Sequence, residues 1–120
     1  MQMGTNHFGH FLLTSLLLGV LKRTGRGARV VTVSSRAHRR ATGFHIDDLN
    51  HERPGAYAAF EVYSQSKLAN VLFSNELARR LEADGISCFS LHPYVAVDDD
   101  AFPDSCLHAV ISHQIFDTLL

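Results

Sequence analysis

The sequence predicts an α/β fold: a partial doubly wound parallel sheet, in which a helix is followed by one βαβ unit and then a divergent tail. Three observations carry this. A β-branched run, Ala28-Arg29-Val30-Val31-Thr32-Val33, opens after Gly25-Arg26-Gly27 and closes on Ser34-Ser35, which is how a buried parallel strand reads. A long helical pattern at about 57–83 follows, stopped by Gly85, and a second short strand pattern occupies about 86–91. A strand, a crossover helix and another strand give parallel pairing with a right-handed connection.

The first helix is expected at about 5–23. Its apolar stretch, Phe11 to Leu21, is too short to cross a bilayer, which takes about 20 residues, so it reads as a buried helix. No Lys or Arg precedes that stretch and no small-residue cleavage site follows it before Lys22-Arg23, which argues against a secretory signal. The strand is expected at 29–34. From Arg36 to Gly55 the chain has little periodicity and reads as a loop over the substrate side of the sheet. In the long helix, Leu68, Leu72, Leu77 and Leu81 mark an approximate buried stripe, and Gly85 tolerates the left-handed geometry of a helix stop. Residues 94–120 form the tail. Asp98 to Asp100 are expected exposed, while Leu107, Val110, Ile111, Ile115 and Leu119 recur at helical intervals and fit a short helix capped by Asp104.

Composition bounds the function classes. The chain has 120 residues, 46% hydrophobic and 19% charged, with a net charge of −1; this is ordinary globular composition for about one domain. Arg36, His38, Arg39 and Arg40 form a local basic cluster, read as a solvated loop, so no nucleic-acid partner is expected. Cys88 and Cys106 are isolated and read as reduced thiols of an intracellular, cytoplasmic protein. His7 and His10 share a helical face, but no carboxylate or thiolate completes a ligand set, so no metal is expected.

The chemistry concentrates in Tyr63-Ser64-Gln65-Ser66-Lys67, which sets a phenol and an ammonium one helical turn apart on one face. A free phenol titrates near about 10. A cation held beside a phenolate stabilises it, which suits the pair to proton transfer. Ser35 lies just past a strand's carboxyl end, the edge where ligands bind in open α/β sheets. Asn6 stands near the start of the first helix.

Four segments in this order, Gly4-Thr5-Asn6-His7-Phe8-Gly9-His10-Phe11-Leu12-Leu13-Thr14, Val33-Ser34-Ser35-Arg36-Ala37-His38, Tyr63-Ser64-Gln65-Ser66-Lys67-Leu68-Ala69-Asn70-Val71-Leu72-Phe73 and Leu91-His92-Pro93, resemble the short-chain dehydrogenase/reductase family. The match is to its retinol dehydrogenase-like branch and covers residues 1–93. The resemblance implies that 1–93 is the C-terminal-side portion of a Rossmann-like domain. It implies Tyr63 as general acid/base, Lys67 as the ribose-binding residue that stabilises its phenolate, and Ser35 as the group that holds the substrate oxygen. Asn6 would order a relay water behind the lysine, and Pro93 would lie beside the nicotinamide. The implied reaction interconverts a hydrophobic, retinol-like alcohol and its carbonyl with NAD(P), NADP being favoured. Homo- or heterodimers through the two long helices are implied too, and many relatives of this branch anchor to membranes.

Two departures shape the expectation for this chain. No G-x-G-x-x-G or G-x-x-x-G-x-G occurs to cradle a pyrophosphate, and the Asn-Asn-Ala-Gly strand end typical of the family is missing. Tyr94 stands where the family has glycine, and Asp98-Asp99-Asp100 follows; a phenol would crowd the cofactor there and the acids would repel its phosphates. The chain is therefore expected not to catalyse alone. The alternative is a truncated, non-catalytic isoform that pairs with full-length relatives; a third outcome is a product that folds poorly, because two strands are a marginal sheet.

Overall fold

Gly25 releases the chain from its first helix: at φ 64° it occupies a region that costs a side chain strain, and its N–H closes the last helical turn on Leu21 O at 2.9 Å. The structure, a computed structural model, describes residues 2–49 and 51–93. A π-helical turn, Gly4–Phe8, leads into α1 (Gly9–Thr24). Then come β1 (Arg29–Val33), two short 3-10 turns at Arg36–Arg40 and Ile46–Asp48, α2 (Ala59–Leu81) and β2 (Ser87–Leu91). The tail expected at 94–120, with its Asp104 cap, lies outside the described residues, as does Cys106.

The strands pair in parallel, in a register running from Arg29↔Ser87 to Val33↔Leu91. Alternation along each strand puts Val30, Thr32, Cys88 and Ser90 on the face that α2 covers; Thr32, Cys88 and Ser90 are buried there. Ala28, Leu77, Leu81, Ile86 and Cys88 form the core, with Leu18, Leu21, Val30, Phe73 and Ala78 packed around it. Gly85, at φ 70°, turns the chain from α2 into β2, and Ile86 N–H bonds back to Leu81 O at 3.3 Å.

Three expectations need correcting. No residue of α1 is buried, and Leu16 is 73% exposed. Leu18 and Leu21 reach the core and Phe11 meets Phe73 with ring centroids 5.2 Å apart, but Leu12, Leu13, Leu16, Leu17 and Val20 stand exposed. β1 is covered on one face only: Val31 and Val33 are each 52% exposed. On α2, Leu77 and Leu81 are buried as expected, yet Leu72 is 44% exposed. The buried face of α2 runs instead through Val62, Gln65, Ser66, Ala69, Asn70 and Ser74, and is largely polar. Among the described residues, no helix is long and apolar enough to cross a membrane.

Candidate active site

The carboxyl end of β1 docks against the middle of α2. Ser34 N–H continues the ladder to Leu91 O at 2.7 Å, and its buried hydroxyl donates to Lys67 O at 2.7 Å. Lys67 Nζ returns the contact, donating to Val33 O at 3.3 Å. Ser34 is thereby committed to packing. Ser35, half-buried, opens the following 3-10 turn, and its Oγ accepts from Ala37 N–H at 3.2 Å. That bond uses a lone pair and leaves the hydroxyl hydrogen to be donated. Of the two serines, it is Ser35 that the backbone presents at the edge.

On α2, the Lys67 ammonium lies 5.5 Å from the centroid of the Tyr63 ring, within cation–π reach. The four-residue spacing delivers what helical geometry requires: both groups leave the same face, half-buried. Phe60 flanks the phenol with its ring centroid 6.4 Å away.

Asn6 reaches the same helix. Its Nδ2 donates to Ser66 Oγ at 3.1 Å, and Ser66 Oγ donates to Tyr63 O at 2.7 Å. Sequence reasoning missed the residue that ties these pieces together. Asn70, 1% exposed, donates through Nδ2 to Asn6 O at 3.0 Å and to Val33 O at 3.1 Å. Its Oδ1 faces His7 Nδ1 at 2.9 Å; since an amide oxygen only accepts, His7 donates. Three elements thus meet on one side chain, and Lys67 and Asn70 share the Val33 carbonyl. The usable signal was their i, i+3 spacing on the face that carries Tyr63.

Pro93 stands exposed two residues past β2. Because β1 and β2 run in register and parallel, Ser35 and Pro93 leave the sheet at one edge, the edge where doubly wound sheets take ligands. A separate cleft of about 310 Å³, lined by His45, Asp47, Asp48, His51, Arg53, Ala56 and Glu61, lies under the 36–58 loop and includes neither Tyr63, Lys67 nor Ser35. The backbone N–H of Asp47's own turn and then Arg53 hold Asp47 below the usual carboxylate range, and the Glu52 N–H does the same for Asp48.

Relatives carry the comparison further. The chain is 50% identical over 93 residues to retinol dehydrogenase 14 of Homo sapiens, covering 78% of this chain and 26% of that protein. With retinol dehydrogenase 13 of Homo sapiens the identity is 49% over 96 residues, 80% of this chain and 28% of that one. Over these residues the chain is a homologue of the retinol dehydrogenases. It spans about a quarter of the length of these curated relatives. Among solved structures, that of an uncharacterized protein from Mycobacterium Paratuberculosis matches with a TM-score of 0.67 and 46% identity, over 82% of this chain and 35% of that one. No family-level sequence profile matches.

Lys67 and Tyr63 offer an ammonium and a phenol side by side, donors of the kind that would hold a ribose in a nicotinamide dinucleotide, whereas its phosphates need backbone N–H groups. The glycines with positive φ are Gly25, Gly27, Gly55 and Gly85; Gly25, Gly27 and Gly85 precede the strands and Gly55 lies in the loop, so the described residues build no backbone cradle for phosphates at the carboxyl edge.

Proposed function

We propose that this edge is the proton-transfer part of a short-chain dehydrogenase, interconverting a hydrophobic, retinol-type alcohol and its carbonyl with NAD(P), and NADP in preference. One observation carries the reading: the Lys67 ammonium over the Tyr63 ring at 5.5 Å, beside the strand end that presents Ser35. In the reductive direction Tyr63 gives its hydroxyl proton to the substrate oxygen while Ser35 donates a hydrogen bond to the same atom. In oxidation the proton passes back to Tyr63. Lys67 stabilises the phenolate that results, Asn6 lies on the path behind it, and Pro93 lines the nicotinamide pocket. When bound, the nicotinamide supplies or takes up the hydride. The retinol dehydrogenase relatives support the substrate class, and the free Cys88 thiol suits an intracellular setting, with any longer parent at a membrane surface.

Two measurements test this. Fluorescence titration of the 120-residue chain with NADPH and NADH reads cofactor binding and preference directly. In a longer protein carrying these residues, Tyr63→Phe lowers turnover by at least about a hundredfold, the usual worth of a positioned acid/base, with cofactor affinity intact; unchanged turnover removes the assignment.

A second reading rests on α1, where Phe11, Leu12, Leu13, Leu16 and Val20 are exposed. The chain then pairs through α1 and α2 with a full-length relative and does not catalyse. Co-purification with such a relative supports it, and a partner-free monomer counts against it.

A further inference from the structure

His51 is buried, 8% exposed, and polar. It is also the one non-glycine residue with positive φ among the described residues, at 52°, a conformation that histidine visits more readily than most side chains. The turn that imposes it is closed by His51 N–H to Asp48 O at 2.9 Å and by Glu52 N–H to Asp48 Oδ1 at 2.8 Å.

The ring completes the arrangement. Its Nδ1 faces Ala56 O at 3.2 Å and its Nε2 faces Gln65 Oε1 at 3.3 Å. A backbone carbonyl only accepts. Gln65, fully buried, cannot reverse its amide without penalty: Oε1 accepts from His45 N–H at 3.2 Å, while Nε2 donates to Leu49 O at 3.4 Å. Both imidazole nitrogens therefore face acceptors. A neutral imidazole carries one N–H; the imidazolium carries two. In the neutral form one ring lone pair confronts an oxygen lone pair at a site with little water to intervene, which is costly.

We propose that His51 is a protonation-controlled latch, fastening the loop from Phe44 to Ala56 onto Gln65, which lies between Tyr63 and Lys67 on α2. The charges around it fit. From its own loop, Asp48 attracts the charged ring, with Asp47 and Glu52 near it, and Arg53 is already engaged by Asp47 at 3.0 Å and Asp48 at 3.9 Å. The His45 ring stands edge-on at 5.2 Å. From α2 come Gln65 and, across the shared cleft, Glu61. With two ring protons the loop is fastened at both ends; when one is lost, either Ala56 or Gln65 is released and the loop loosens from α2. The latch is a property of the loop and does not depend on the dehydrogenase reading.

Histidine-labelled ¹⁵N NMR of the 120-residue chain tests it. The expected result is that both His51 ring nitrogens carry protons at mildly acidic pH. When raising the pH removes one ring proton, the protection factor of the His45 amide falls about tenfold, the worth of one charge-assisted hydrogen bond. His51→Asn, which tolerates left-handed backbone, removes that pH dependence. Gln65→Glu, which sets a carboxylate against Nε2, moves the loosening to higher pH. A His51 ring found as one neutral tautomer throughout, or a His45 protection profile identical in wild type and His51→Asn, overturns the proposal.

Discussion

Replacing Asn70 with alanine probes the joint on which the site is built. The side chain makes three hydrogen bonds, to Asn6 O at 3.0 Å, to Val33 O at 3.1 Å and with His7 Nδ1 at 2.9 Å. At about 1 kcal/mol net for each, their loss costs about 3 kcal/mol. No full desolvation penalty is added, because Val33 O keeps Lys67 Nζ at 3.3 Å and Asn6 O keeps His10 Nδ1 at 3.2 Å. Against a total of about 5–15 kcal/mol for an ordinary domain, that is a large share. With a urea slope of about 1.5 kcal/mol/M, the unfolding midpoint moves down by about 2 M, read by far-UV circular dichroism on wild type and Asn70→Ala side by side. A shift below about 0.3 M refutes the reasoning, since the three bonds would then contribute nothing beyond what water replaces.

Other substitutions test separate parts of the fold. Gly85→Ala forces a side chain into φ 70° and sets its Cβ 2.7 Å from Arg26 Cγ. Cγ lies next to the Arg26 backbone, whose Cα is 3.7 Å away, so the contact adds to the about 1–2 kcal/mol of backbone strain; an unchanged urea midpoint counts against it. Glu76 accepts from both Arg79 and Arg80, and these bonds, Arg79 first, lower its carboxyl from the ordinary 4.5 to about 2. A lowered folded-state value means stabilisation present above the ordinary value and lost as pH falls toward about 2. The thermal midpoints of wild type and Glu76→Gln therefore differ at neutral pH and converge on acidification; parallel curves argue against the pairing. Burial pushes the Cys88 thiol up, so in a Cys106→Ser background an aromatic disulfide reagent labels native Cys88 far more slowly than the urea-unfolded chain at the same pH. Equal rates would mean the thiol is open to solvent.

The strand at β1 was legible because Val30, Val31 and Val33 stand between glycines and serines, and the end of α2 because Gly85 marks it. That Tyr63 and Lys67 share a face of α2 and that Ser35 follows a strand end was legible for the same local reason: spacing along a helix and position after a strand are properties of contiguous residues. The polar face of α2 was not. Ser66, Gln65 and Asn70 look like solvent-side residues in a helical pattern, and what buries them is bonding to Asn6, His45 and Val33, partners remote along the chain. Leu72 misled in the opposite sense, since a leucine stripe says which residues are apolar and not which face another element covers. α1 failed for that reason too: its run of leucines is real, and only Leu18 and Leu21 find the core.

The register that sets Arg29 beside Ser87 also fixes a waiting time during synthesis. At about 5–20 residues per second, a ribosome takes roughly 3–12 s to travel from one to the other. Through that interval a valine-rich segment has emerged without its mate, and the nascent polypeptide depends on α2 growing behind it to deliver β2. A pause placed within α2 lengthens this exposure, and a faster passage shortens it.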